Sequence, residues 1–97
     1  MIYIKKNESQ NSEVLAVCDE DLINKVFRDK KMKLEITERF YKGDLVNEEE
    51  AVEFMKKARS INIAGKNSIS LAIKLGIVDK GNIIKIKNIP HALIFEI

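Results

Sequence analysis

Residues 62–97 read NIAGKNSISLAIKLGIVDKGNIIKIKNIPHALIFEI and carry the clearest structural signals of this 97-residue chain. Apolar side chains cover most of the circumference of a predicted helix that extends through Leu75, so this helix is expected to be largely buried. Asn67 or Ser68 is its expected N-terminal cap, because both side chains accept hydrogen bonds from free backbone N–H groups. Gly76 followed by an apolar residue is a typical helix stop.

The end of this stretch predicts two strands. From Ile83 to Lys87, isoleucine alternates with lysine, which indicates a strand with one buried and one exposed face. Pro90 is expected to interrupt this strand, because proline cannot donate to a sheet hydrogen bond. Alternation resumes from His91 to Ile97, which predicts a final strand.

Upstream, Asn47 begins the best-defined predicted helix. Asn47 and Glu50 have the spacing of a capping box, and three consecutive glutamates meet the positive end of the helix dipole. Apolar residues recur at helical spacing from Ala51 onwards, which predicts a helix that continues to Ile63 or Ala64 and ends at Gly65.

The first third of the chain predicts mainly strands. Residues 2–6 alternate, and residues 14–18 are continuously apolar, as expected for a strand that is covered on both faces. These two segments are predicted to form a hairpin. Asp19 is the expected cap of a short helix over residues 20–26, and residues 32–36 alternate cleanly as a third strand.

These elements give the order β-β-α-β-α-α-β-β. Strands at both ends of the chain with helices between them predict an α+β fold: a two-layer sandwich of a mostly antiparallel sheet with helices on one face. The length predicts a single domain over residues 1–97. No apolar run approaches the roughly 18 residues of a membrane helix. The lone cysteine fits a reducing compartment, so we expect a cytoplasmic protein.

The sequence offers little for catalysis. The chain has one cysteine, Cys18, and one histidine, His91, far apart in sequence. A cysteine nucleophile needs a base in contact, and structural zinc needs four Cys or His ligands. We therefore predict no catalytic residue, no metal and no cofactor. His91 has two interpretations, a proton-transfer group or an imidazole bonded to a backbone carbonyl, and the second is favoured because no partner residue is apparent.

Charge is distributed unevenly along the chain. Residues 1–53 hold nine basic and thirteen acidic side chains, a balance of −4, whereas residues 54–97 hold eight basic and two acidic ones, a balance of +6. A polarised chain can present a basic face to an anionic partner. The alternative is that the acidic and basic residues simply occupy opposite ends of one helix.

A mixture of basic and aromatic residues is typical of surfaces that bind single-stranded RNA, where bases stack on exposed rings. The candidate binding residues are Arg39, Tyr41, Lys42, Lys66, Lys85, Lys87 and His91. The competing interpretation places Tyr41 at the rim of the core. In that interpretation the strand lysines are solvated and prevent edge-to-edge aggregation of the sheet.

Four short motifs together resemble an archaeal family known as domain of unknown function 424. They are Phe40–Gly43, Asn62–Gly65, Gly76–Asp79 and Ile89–Ala92. The resemblance implies an archaeal, cytoplasmic, single-domain protein with a two-layer α+β fold, and it carries over no catalytic residue. A role near RNA or the translation machinery is a separate hypothesis, because the four motifs themselves do not imply it.

Three functions are therefore expected in decreasing order. The first is a non-enzymatic binding module whose partner is RNA or a ribonucleoprotein. The second is a protein-interaction or self-associating module that uses an exposed edge strand, either residues 83–87 or residues 91–97. The third is a small enzyme centred on His91.

Overall fold

The structure is a computed structural model that describes residues 1–95. Two 3-10 turns, Glu20–Leu22 and Lys80–Asn82, accompany the helices and strands. The elements are β1 (Ile2–Ser9), β2 (Ser12–Asp19), β3 (Val26–Arg28), β4 (Lys33–Glu35), α1 (Glu38–Tyr41), β5 (Asp44–Val46), α2 (Glu48–Lys57), β6 (Ile61–Ala64), α3 (Lys66–Lys74), β7 (Ile84–Ile86) and β8 (Ile89–Ile94).

Six strands form one sheet in the order β5-β1-β2-β6-β8-β7, and β3 and β4 form a separate two-stranded ribbon. Every neighbouring pair in the large sheet is antiparallel except β2 and β6, which are parallel. The predicted α+β class and the mostly antiparallel sheet are therefore confirmed. The sheet has two edges, β5 and β7.

The two faces of the sheet are covered differently. α2 and α3 pack on one face, where Ile4, Val17 and Ile63 meet Met55 and Ala72 in the larger apolar cluster. This arrangement matches the predicted helical layer.

The opposite face carries a smaller apolar cluster. Ala16, Cys18 and Ala64 meet the buried Tyr41 of α1 and Leu34 of the ribbon there. Because β2 is apolar on both sides, it is buried on both sides, as its uninterrupted apolar run predicted. The short α1 and the ribbon thus add a partial layer to the predicted sandwich.

The helix predicted from Asn47 to Ile63 or Ala64 is too long. α2 ends at Lys57, and Ile61–Ala64 form β6 instead. β6 fills the gap between β2 and β8 and pairs with both, so its backbone groups gain two sets of ladder hydrogen bonds. This tertiary pairing outweighs the helical spacing of the isoleucines, which as β-branched residues also favour strands. The predicted capping box of Asn47 and Glu50 is confirmed.

Two predictions near the chain's C-terminal end also change. Pro90 lies inside β8 rather than interrupting a strand. Lys87 does not end β7 but forms, with Asn88, the two-residue turn between β7 and β8. Their φ angles of 52° and 67° match the type I′ turn that a tight hairpin favours. The predicted final strand included residues 96 and 97, which lie outside the described part of the chain.

Local signals around α3 are partly confirmed. Gly76 has a φ of 74°, its N–H donates to the carbonyl of Ile73, and the N–H of Ile77 donates to that of Ala72, so the predicted helix stop is correct. Neither Asn67 nor Ser68 caps the helix, because Gly65 occupies that position. The helix expected over residues 20–26 shortens to one 3-10 turn.

Candidate nucleic-acid interface

A groove of about 900 Å³ lies between α3 and the β7–β8 hairpin, on the helical face of the sheet. Lys66 and Lys74 come from the two ends of α3, Lys80 from the second 3-10 turn, and Lys85 from β7. All four lysines are exposed, and none is in an ion pair within residues 1–95. The groove therefore holds four uncompensated positive charges.

Apolar side chains form the floor of this groove. Ile69 and Ile73 project from α3 onto it, while Ile83 and Pro90 line it from the hairpin side. Pro90 stands opposite Lys85 in the β7–β8 register, so both side chains point to the same face. No acidic side chain of the described residues lines the groove. The site is thus a groove with an apolar floor and lysines around it.

Of the seven residues predicted from sequence, only Lys66 and Lys85 belong to this groove. Lys74 and Lys80, which share it, were not predicted. A signal for Lys74 exists in the sequence: Lys66, Ser70 and Lys74 are spaced four residues apart and thus share one face of a helix. Nothing local indicates that Lys80 and Lys85 would face that helix.

Tyr41 is buried, with only 2% of its surface exposed. Its hydroxyl donates to Oδ1 of Asn62 at 2.5 Å, and its ring makes an edge-to-face contact with Phe40. Burial raises the pKa of the phenol, and the nearby Cys18 raises it further. Tyr41 therefore stabilises the smaller apolar cluster and offers no ring for a base to stack on.

Arg39 lies on α1 and Lys42 directly follows this helix, and both are well away from the groove. Lys5 and Asn7 of β1 hold this segment through hydrogen bonds to the carbonyl oxygens of Arg39 and Phe40. Lys42 also pairs with Glu38 at 3.4 Å. β1 and β7 are four strand spacings apart, or about 19 Å, so these two cations form a separate patch.

His91 lies on the sheet face opposite the groove, next to Ala64 in register. Its Nδ1 is 2.9 Å from the carbonyl oxygen of Ile63. A carbonyl only accepts, so Nδ1 carries the proton in the neutral ring. Burial lowers the pKa of His91, partly offset by this hydrogen bond. With no carboxylate bonded to it in the described chain, His91 has the features of a structural imidazole.

Cys18 is fully buried in β2. Burial raises the pKa of its thiol to about 12, and the charges of Asp19 and Asp21 act in the same direction. A thiol that stays protonated at neutral pH is a poor nucleophile. Among residues 1–95, no three His, Cys, Asp or Glu side chains come together as a metal site.

Asp19 has a different role from the one predicted. Rather than capping the turn that follows it, Asp19 caps α3 from the end of the neighbouring β2. Its carboxylate accepts the N–H groups of Asn67 (3.0 Å) and Ser68 (2.8 Å) and the hydroxyl of Ser68 (2.7 Å). The anion-binding position at the start of this helix is thus filled by a side chain of the protein.

The fold and groove together define a small α+β domain with a basic, apolar-floored groove on its helical face. The chain belongs to the family described as protein of unknown function (DUF424), whose sequence model matches residues 7–97. The resemblance drawn from the four short motifs is therefore confirmed. No curated protein matches the chain.

One similar solved structure is described as an uncharacterized conserved protein from Methanopyrus kandleri. It superposes with a TM-score of 0.83 at 24% identity, over 96% of this chain and 89% of that one. The likeness shows that the two proteins share a fold. In the described chain, no helix is both long and apolar enough to cross a membrane.

Proposed function

We propose that this protein is a non-enzymatic RNA-binding module and that the groove between α3 and the β7–β8 hairpin holds the RNA. The observation that carries the proposal is the set of four lysines in the groove, none of them ion-paired in the described chain. Positive charge that the protein does not itself neutralise attracts a polyanion, and each phosphate bound releases counterions.

The apolar floor suits a sugar–base chain better than a free inorganic anion. Ile69, Ile73 and Pro90 provide aliphatic contact area for riboses and base faces, and Ser70 and Asn88 provide hydrogen-bonding groups at the rim. No aromatic side chain of residues 1–95 lines the groove, so base stacking contributes little. We therefore expect sequence-tolerant binding dominated by the phosphates.

The proposal has two further parts. The protein is located in the cytoplasm, and the RNA that it binds belongs to a ribonucleoprotein such as one of the translation machinery. A single cysteine that is free and buried fits a reducing compartment. The groove is accessible from solvent, so RNA within a larger particle could reach it.

Fluorescence anisotropy with a labelled uridine oligonucleotide tests the proposal between 20 and 200 mM salt. Four phosphate contacts predict a slope of about −3 for log K against log salt, at roughly −0.7 per contact. The double variant K66Q/K85Q should flatten the slope by about 1.4 and weaken binding at 0.1 M salt about 25-fold.

The matched control is K56Q/K57Q, which removes two exposed lysines from the last turn of α2. It changes net charge equally and should leave affinity within about twofold. Binding that does not depend on salt, or equal losses in both variants, would contradict the proposal. A poly-glutamate of equal length that binds as tightly would indicate an acidic protein instead of RNA.

A second candidate function is protein interaction through the edge strand β7. The outer edge of β7 has no strand partner in the described chain, and Ile84, the first residue of β7, is 44% exposed. In a two-fold antiparallel pairing of two copies, Lys85 at the strand centre would face its own equivalent, which disfavours self-association. Light scattering from 10 µM to 1 mM tests this: a constant monomer mass rules out the self-associating form.

A further inference from the structure

A second group of cations lies at the tip of the β3–β4 ribbon. Arg28 and Lys33 form the last pair of the ribbon, and the turn between them contains Lys30 and Lys31. Oδ1 of Asp29 accepts the N–H groups of Lys31 (3.0 Å) and Met32 (2.9 Å), which fixes the turn. The turn is therefore held by the Asp29 carboxylate and the backbone N–H groups that it accepts, and its lysine side chains are exposed.

The ribbon tip lies beside the tip of the β7–β8 hairpin. Leu34 and Phe27 of the ribbon pack in the same apolar cluster as Ile86 and Ile89, which are the residues on either side of the hairpin turn. The hydrogen bonds from the N–H groups of Lys31 and Met32 lower the pKa of Asp29, and the charge of Lys87 in the hairpin turn lowers it further. The two turns thus form one continuous end of the molecule.

The groove leads to this end. Asn88 lines the groove, and the residue before it, Lys87, occupies the same two-residue turn. Positive φ angles at both positions fold the chain back sharply. Because Asn88 lines the groove and the flanking Ile86 and Ile89 pack with the ribbon, the turn lies between the groove and the ribbon. Two acidic groups of the ribbon already have partners, since Asp29 bonds to its own turn and Glu35 pairs with Lys33.

We propose that one RNA strand runs from the groove across the hairpin turn to the ribbon tip, where Arg28, Lys30 and Lys31 bind its phosphates. This inference rests on the proposed function, and it adds a second contact segment and a preference for strands longer than the groove. We call this path the track. It has eight cations: the four lysines of the groove, Lys87 in the hairpin turn, and Arg28, Lys30 and Lys31 at the ribbon tip.

If RNA binds along the whole track, the salt dependence of binding should increase with RNA length. If RNA binds only in the groove, it should not. A uridine tetramer with a 5′-phosphate, which has four phosphates and occupies only the groove, should show a salt slope of about −3, whereas a 12-mer that also reaches the ribbon should approach about −5 to −6. We use the slope for this comparison because the many binding registers on a 12-mer increase its affinity without changing the number of phosphates bound.

The decisive variant is K30Q/K31Q, measured by anisotropy with both oligonucleotides from 20 to 200 mM salt. For the 12-mer we expect the slope to flatten by about 1.4 and the affinity at 0.1 M salt to fall about 25-fold. Affinity for the tetramer should change less than twofold. The turn should stay folded because Asp29 bonds to backbone N–H groups, and the circular dichroism spectrum of the variant should match that of the wild type.

The outcomes separate this inference from the proposed function. Equal effects of K30Q/K31Q on the tetramer and the 12-mer, or no effect on either, would overturn the track. If K66Q/K85Q still weakens the tetramer in that case, the groove remains the RNA site. If K66Q/K85Q weakens neither oligonucleotide, the proposed function fails, and the track fails with it.

Discussion

Gly65 and Asp19 meet at the point where β6 passes into α3. Gly65 has a φ of 112°, a region that residues with a side chain rarely adopt. A Cβ atom at this position would lie 2.4 Å from Cγ of Asp19. The glycine is therefore required both by its backbone conformation and by the carboxyl group packed against it.

Replacing Gly65 with alanine should destabilise the protein by more than about 2 kcal/mol, because backbone strain and a steric clash act together. Urea unfolding measures the change. Gly81→Ala is the matched control, since no atom of the described residues lies within 4 Å of its Cβ position and its φ is not in the positive range. A change within about 0.5 kcal/mol is expected there, and equal costs at both sites would contradict the explanation.

His91 gives a pH dependence whose sign follows from its burial. Its pKa is lowered in the folded protein, while in the unfolded chain it returns to about 6.5. Below this value the unfolded chain takes up a proton that the folded one resists, so stability falls as pH decreases. Stability should be lower at pH 5.5 than at pH 7.

The variant His91→Asn tests this interpretation, because the asparagine amide can still donate to the carbonyl of Ile63. Urea midpoints for the variant should change less between pH 7 and 5.5 than those of the wild type. Asp29, Glu35 and Glu38, whose pKa values are lowered, titrate below this window. Parallel pH profiles for the two proteins would disprove a buried neutral imidazole.

At the scale of elements, α3 is capped from outside its own segment. The carboxylate of Asp19 accepts three hydrogen bonds from the first turn of α3, and Ser68, which donates two of them, has no exposed surface. Removing the carboxylate would leave buried donors without a partner, which costs more than losing a water-exposed cap. The same contact ties β2 to the beginning of α3.

Asp19→Ala should therefore lower the free energy of unfolding by about 2–4 kcal/mol. Asp21→Ala is the matched control, because it removes an exposed carboxylate two residues away. Amide hydrogen exchange should also accelerate at Asn67 and Ser68 in the Asp19 variant. Similar unfolding energies in the two variants would mean that the cap contributes little.

The sequence predicted the elements whose signals are short-range. The capping box at Asn47 and the stop at Gly76 depend on hydrogen bonds spanning three to five residues, and both are present. β6 was missed because its partners lie in β2 and β8, far away along the chain. Asp19 was assigned to the wrong helix for the same reason, since its partners are 48 and 49 residues away.

For the candidate site too, the sequence indicated single residues but not the long-range contacts that bring them together. Lys66 and Lys85 could be singled out as cations on a helix and a strand, but their common groove arises only when α3 packs against the β7–β8 hairpin. The aromatic and basic loop at Tyr41 was misleading because the second apolar cluster, assembled from distant strands, buries the ring. Composition alone does not separate a stacking residue from a core residue.

At the scale of the whole molecule, charge is separated across the helical face. The first turn of α2 carries Glu48, Glu49 and Glu50, whereas lysines are the only charged residues of the described chain that line the groove beside α3. Four like charges around one groove repel one another, and no ion pair in the described chain offsets that repulsion. Charge repulsion in the folded state lowers stability.

A multivalent anion should therefore stabilise the folded protein through the groove. At about ten times its Kd, tripolyphosphate would add about 1.4 kcal/mol, and each kcal/mol raises the Tm of a domain this size by about 4–8 °C. Differential scanning fluorimetry measures the shift against sodium chloride of equal ionic strength. The shift should largely disappear in K66Q/K85Q and persist in K56Q/K57Q. An equal shift in both variants would mean that the anion acts on the general surface charge, and the lysines around the groove would then not form a distinct binding site.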